Sequence, residues 1–165
     1  MTSRKSPSEL PPYTPEGSVW TEIVLEIFQL NGELITAGDS LGRELGLTAS
    51  RWQVIGAIRD GRLTVAQIGR RMGLTRQSVR RTVDLLEGEK MVERVPNPDH
   101  RSAELVQLTS RGAQAYAAIS RRQIDWANRC AGSLSLSALQ TTLRTLRAVR
   151  ARVVPEASAI RKKSG

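Results

Sequence analysis

The stretch from Arg62 to Thr109 constrains this chain more than any other. It holds two short helical patterns about Gly73, then two strand-like runs, MVERV and AELVQL, on either side of Pro96-Asn97-Pro98-Asp99-His100-Arg101. Each helical pattern opens on threonine after leucine, Leu63-Thr64 with Ile68 and Leu74-Thr75 with Val79, and Leu47-Thr48 with Trp52 repeats the signal upstream. A threonine hydroxyl at N-cap accepts from an orphan amide of the first turn, and the leucine before it packs on the residue at N4. Gln67, at N3 after Thr64, completes a capping box. Three such starts predict three successive short helices. Met72-Gly73-Leu74 predicts a tight turn with Gly73 at positive φ. The resulting order is helix, turn, helix, wing.

Charge adds a partner class. With 25 Lys and Arg against 16 Asp and Glu, the 165-residue chain carries a formal net charge of +9, which favours anionic partners and nucleic acid first. Residues 18–60 are acidic, with Arg43, Arg51 and Arg59 set against Glu22, Glu26, Glu33, Asp39, Glu44 and Asp60. From Gly61 to Val83, Arg62, Arg70, Arg71, Arg76, Arg80 and Arg81 meet no acid at all. The planar guanidinium suits bidentate contact with phosphate or guanine edges, whereas a run of this kind is otherwise a solvated basic face. Residues 112–165 are more positive still, ten basic residues facing only Asp125 and Glu156, so net charge does not locate a site and arrangement must.

The flanks read as helix. Residues 1–17, with Pro7, Pro11, Pro12 and Pro15, predict an extended arm. From Ser18, the spacing of Val19, Trp20, Ile23, Val24, Ile27, Phe28, Leu34, Ile35, Leu41 and Leu45 predicts a long amphipathic helix, with Gly32, Gly38 and Gly42 as points of bending or interruption. Such a helix has more apolar surface than one neighbour covers, which points to a partner subunit. Ser110 to Ala131-Gly132 reads as helix, and a last basic one starts at Ser135 or Ser137 with Leu139, Leu143, Leu146, Val149 and Val153 on its apolar side. The acidic first helix and the basic last one are expected to pack together, within or between subunits. The fold class is therefore mainly α with a small β-hairpin wing. Its parts are an arm (1–17), an N-terminal helical region (18–47), a winged helix-turn-helix lobe (48–109), C-terminal helices (110–160) and a basic tail (161–165), in one compact domain.

Within the lobe, Val79, Val83 and Leu86 keep helical spacing and are expected to face the core, which leaves Arg76, Gln77, Arg80 and Arg81 outward. Arginine reads guanine O6 and N7, glutamine pairs with adenine, and Thr75 and Ser78 can bond phosphates near the helix N-terminus. At the wing tip Asp99 and Arg101 are either plain turn residues, Asp99 making an Asx turn, or an arginine held for the minor groove by Asp99. His100, the only histidine, reads as a solvent- or phosphate-facing neighbour, since no second histidine shares a metal. No nucleophile, base and orienter set, Gly-rich phosphate loop or ligand cluster supports an enzyme, a cofactor or a metal. No long apolar run or secretory signal appears, and the lone Cys130 forms no internal disulfide, so a cytoplasmic protein without a membrane span is expected.

From about Ser18 to Val153 the chain resembles the MarR family of bacterial transcription regulators. The resemblance rests on the single Trp52 in the helix after Thr48, on LTRQSVRRTVDLLEGEKMVERVPNPDHRSAELVQLTSRG from Leu74 to Gly112, and on the flanking long helices. It implies a winged helix-turn-helix homodimer, joined through its terminal helices, whose two recognition helices span a palindrome in double-stranded DNA about 34 Å apart. Arg81 stands where many members carry a recognition-helix arginine, and Asp99-His100-Arg101 matches their Asp-x-Arg wing tip. The resemblance also implies repression relieved by a small aromatic or phenolic anion, for which Trp20 and Trp52 are the candidate pocket residues, although tryptophan at apolar helical spacing is more often core. Redox-sensing members carry a cysteine near the first helix and urate-responsive ones an acid after the tryptophan matching Trp52. Here there is no such cysteine, and the residue is Gln53. The competing reading is a winged-helix module that binds an acidic protein.

Overall fold

The computed structural model describes residues 11–99 and 103–163, and these divide into two compact units after Ser120. The first holds α1 (Pro15–Gly42), a 3₁₀ turn (Arg43–Leu45), α2 (Ala49–Ala57), β1 (Leu63–Thr64), α3 (Val65–Met72), α4 (Arg76–Gly88), β2 (Val92–Val95) and β3 (Leu105–Leu108). α5 (Ser110–Ala131) begins in this unit and ends in the second, which also holds α6 (Leu136–Lys163).

α1 starts inside the stretch expected to be an arm. Thr14 is its N-cap, the hydroxyl accepting from the Gly17 amide at 3.0 Å, and Pro15 is its first residue. Proline at that position lacks only an amide that the helix leaves unbonded anyway, so Pro15 starts the helix instead of preventing it. Of the glycines expected to bend or interrupt α1, Gly32 and Gly38 lie within the unbroken helix and Gly42 is where it ends. Gly38 sits against α2, where an added Cβ would stand 3.0 Å from the Cβ of Ala49, and the Ala49 amide donates to Asp39 Oδ1 at 2.6 Å. Close approach, not flexibility, accounts for that glycine.

Two copies of one heptapeptide pattern, GRELGLT at 42–48 and GRRMGLT at 69–75, build two of the junctions. In each, the second glycine takes the left-handed region, φ 66° at Gly46 and 69° at Gly73. The next leucine turns its amide back onto the first glycine's carbonyl, Leu47 to Gly42 at 3.0 Å and Leu74 to Gly69 at 2.9 Å, and packs its side chain with the core. The threonine then caps the following helix: Thr48 Oγ1 accepts from the Arg51 amide at 3.3 Å and Thr75 Oγ1 from the Ser78 amide at 3.1 Å. A side chain at the first glycine would obstruct the reversal, because a Cβ on Gly42 would lie 2.0 Å from the Leu47 carbonyl oxygen. The end of α4 repeats the device without glycine: Lys90 takes φ 59° and the Met91 amide donates to Leu86 O at 2.9 Å.

The predicted hairpin is present and belongs to a three-stranded antiparallel sheet of order β1-β3-β2. β1, whose two residues are too few to show a period, pairs Leu63 with Val106. The core gathers Val54, Ile55 and Ile58 from α2, Ile68 from α3, Val79, Val83 and Leu86 from α4, Val92 and Val106 from the sheet and Ile119 from α5. Arg51 ties the junctions together, its Nη1 donating to Gly46 O at 2.9 Å and its Nη2 pairing with Glu89 Oε1 at 2.8 Å.

In the second unit Ser135 caps α6, its hydroxyl accepting from the Ala138 amide at 3.2 Å. Leu139, Leu143, Leu146 and Val153 follow at helical spacing, all exposed. α6 continues through Pro155 to Lys163, so the expected tail begins as helix. Cys130 is exposed and unpaired by any disulfide. Among the described residues no helix is long and apolar enough to cross a membrane.

Unfolding in urea checks the junction. Gly46→Ala is expected to cost about 1–2 kcal/mol for its left-handed backbone, and Gly42→Ala more, because its Cβ meets backbone that cannot yield. Equal midpoints for the two variants would contradict this account.

Candidate nucleic-acid interface

α4 separates its two faces as its sequence predicts. Val79, Val83 and Leu86 are fully buried, and Thr82 joins them with its hydroxyl donated to Ser78 O at 3.1 Å. Arg76, Gln77, Arg80 and Arg81 are exposed. Among the described residues no carboxylate pairs with Arg76, Arg80 or Arg81, nor with Arg62, Arg70 or Arg71. Arg59 differs: its Nε donates to Asp60 Oδ2 at 2.8 Å and its Nη1 to the Tyr116 hydroxyl at 3.1 Å, and these bonds, that to Asp60 first, raise its pKa above the ordinary arginine value. Six guanidinium groups without a carboxylate partner are thus gathered on α3, α4 and the turn before them.

The N-terminus of α4 adds backbone donors. Thr75 Oγ1 takes the Ser78 amide, while among the described residues the Arg76 and Gln77 amides have no protein acceptor. With the helix dipole they form the kind of terminus on which a phosphate rests. Thr75 keeps its hydroxyl proton free for such an oxygen.

Beside the row Arg76, Arg80 and Asp84 of α4 stands the hairpin. Opposed residues of antiparallel strands share a face, so Arg94, across from Val106, lies in the inward row that starts with Val92. Its guanidinium bonds Asp84 and Glu87 of α4 and stands 3.9 Å from Glu104 before β3. The alternation in MVERV contains the signal that would have found it, an arginine on the strand's inward register. Beyond β2, Asn97 Nδ2 donates to Ala103 O at 2.9 Å and Asn97 Oδ1 accepts from the Asp99 amide at 3.1 Å. Asn97 thus makes an Asx turn of its own and bonds across the hairpin to Ala103. Asp99 is exposed, and His100 and Arg101 lie outside the described residues.

Trp20 and Trp52 are not brought together in the chain. Trp52 packs on the core near Gly38, whereas Trp20, 38% exposed, lies roughly 27 Å further along α1 by the helical rise. Trp20 shares a shallow groove with Pro15, Val19 and Ile23 on the first turns of α1.

The family model described as the MarR family matches residues 45–101. A protein of Mycobacterium tuberculosis, itself uncharacterised, is 38% identical over 125 residues, which is 76% of this chain and 87% of that protein. This chain belongs to the MarR family of transcription regulators. That membership sets it apart from enzymes. Among solved MarR family structures, a regulator from Acinetobacter sp. ADP1 superposes with a TM-score of 0.74 at 20% identity, over 81% of this chain and 95% of that one. A mutant Escherichia coli MarR complexed with operator DNA gives 0.71 at 22% identity, over 78% and 93%. BldR of Sulfolobus solfataricus gives 0.73 at 17%, over 80% and 94%. At these identities the likeness is one of winged-helix fold, and the residues above are this chain's own.

Thr75→Ala removes the α4 cap and is expected to cost about 1 kcal/mol of stability, with Thr75→Asn close to wild type. Thermal melts of both variants check it, and an undiminished Ala variant would contradict the cap.

Proposed function

We propose that this MarR family member is a homodimeric repressor that binds a pseudo-palindromic operator in double-stranded DNA and is released by a small aromatic or phenolic anion. The observation that carries the DNA reading is the first two turns of α4, where Arg76, Gln77, Arg80 and Arg81 stand exposed without a carboxylate partner, next to two unbonded amides and a wing. A helix so furnished meets phosphates and guanine or adenine edges in the major groove, and the wing carries Asp99, His100 and Arg101 toward the adjoining minor groove. The operator complex of the Escherichia coli relative supports the same mode for this chain.

Support for the dimer comes from apolar surface. On α1, Phe28 is 70% and Leu25 62% exposed, and α6 has its own exposed leucine row. Such faces seek burial. Two lobes held on a twofold axis read half-sites about one DNA turn apart. The effector reading draws on family membership, with Trp20 and Trp52 its candidate contacts on separate parts of the chain.

Selection of bound genomic fragments followed by titration at rising salt tests the proposal. Arg81→Ala and Arg101→Ala are each expected to weaken operator binding by about 1–3 kcal/mol, and affinity is expected to fall steeply with salt. Wild-type affinity in both variants would remove the assignment. For the dimer, sedimentation of Phe28→Glu should show a shift toward monomer relative to wild type, and an unshifted variant would place the interface elsewhere.

A further inference from the structure

The recognition helix is divided by charge. Its N-terminal half carries Arg76, Arg80 and Arg81 unpaired, whereas its C-terminal half carries Asp84 and Glu87, both bonded to Arg94 of the wing. The boundary between the halves is a groove of about 630 Å³ between α4 and the hairpin, lined by Thr64, Arg76, Arg80, Asp84, Arg94 and Glu104. Arg94 is 21% exposed while its partners Asp84, Glu87 and Glu104 are 57%, 38% and 65% exposed, so three partly solvated carboxylates converge on one guanidinium held on the inward face of the sheet. A fork of five N–H donors can serve two carboxylates on successive turns of a helix at once, which an ammonium does not do with the same geometry.

We propose that Arg94 is a positioning residue for DNA binding. By gripping Asp84 and Glu87 on one side and facing Glu104 on the other, it sets the angle between the recognition helix and the wing. It also offsets part of the negative charge of the carboxylates that stand beside the DNA-facing arginines. The inference rests on the DNA-binding reading for its consequence, while the clamp itself stands on the geometry. Two effects follow from one side chain. The wing tip enters the minor groove only if the hairpin keeps its angle to α4, and the phosphates approach Arg76 and Arg80 only if Asp84 does not repel them.

Because the arginine works through carboxylates, the expected signs differ from those of a simple phosphate contact. Asp84→Asn makes the protein more positive by one charge, which by electrostatics alone strengthens DNA binding. In the clamp it removes a partner, so it is expected to weaken binding to a labelled random-sequence duplex in the wild-type background. In the Arg94→Gln background the same change removes an uncompensated repulsion and is expected to restore affinity. Arg94→Gln by itself should lower affinity about tenfold and Arg94→Lys by less.

The test is a double-mutant cycle of Arg94→Gln and Asp84→Asn, read by fluorescence anisotropy across a salt series, with circular dichroism to confirm folding. A change of sign for Asp84→Asn between the two backgrounds is the expected result. If Asp84→Asn strengthens binding equally in both, and Arg94→Gln lowers the salt slope by about one, Arg94 is a direct phosphate contact and the clamp is overturned. Should Arg94→Gln not fold, Asp84→Asn alone decides, since tighter binding contradicts the proposal and weaker binding agrees with it. Failure of the wild-type protein to retard any duplex at low salt would instead refute the DNA reading. The clamp is then judged by amide hydrogen exchange: β2 and β3 should exchange faster in Arg94→Lys than in wild type, and unchanged exchange overturns it.

Discussion

The lobe depends on how the chain is stopped and redirected within a few residues at three places, after the 3₁₀ turn, after α3 and after α4. At each of these stops a residue in the left-handed region turns the amide of the next residue back into the helix just ended, and the side chain of that next residue packs with the core. Leu47, Leu74 and Met91 are thus polar caps through their backbone and hydrophobic anchors through their side chains. Because one residue satisfies an orphan carbonyl and buries apolar area together, the directions of α2, α4 and β2 are coupled to core packing. A helix end that drifted would lose both contributions at once. Two of these junctions also place a threonine at the start of the next helix, so the recognition helix inherits its orientation from the stop of the helix before it.

That orientation decides which charges are left free. The buried row Val79, Val83 and Leu86 fixes the rotation of α4 about its axis, and Arg76, Gln77, Arg80 and Arg81 point outward as a consequence. The hairpin then takes up the acidic end of the same helix through Arg94. Free arginine at one end and arginine-bound carboxylate at the other give α4 an electrical polarity in the same direction as its backbone dipole. A positive surface concentrated in the first two turns follows from both.

Much of this was legible beforehand because its causes are local. Thr48, Thr64 and Thr75 cap helices because a short hydroxyl side chain reaches an amide three residues on, and Gly73 stops one because it alone lacks a Cβ there. The hairpin is readable from its turn cluster. The arm ends earlier than its prolines suggest for an equally local reason, since after the Thr14 cap Pro15 is a first helical residue and not a breaker. What could not be read were pairings between distant positions: Asp39 with the Ala49 amide, Arg51 with Glu89, Arg94 with Asp84 and Glu87, and the two-residue β1 against β3.

By itself, then, the sequence determined where the helices of the lobe begin, which face of α4 is apolar, and that Arg76, Arg80 and Arg81 lie off that face, since caps, periodicity and charge each act over a few residues. Tertiary structure alone decided which charges remain free. Asp84, Glu87, Arg94 and the six arginines from Arg62 to Arg81 look alike as a string of ionised side chains, and only the packing of the wing against the recognition helix pairs some of them and leaves the rest for a partner. An ion pair forms by distance in space, and distance between residues on different elements is set by the core.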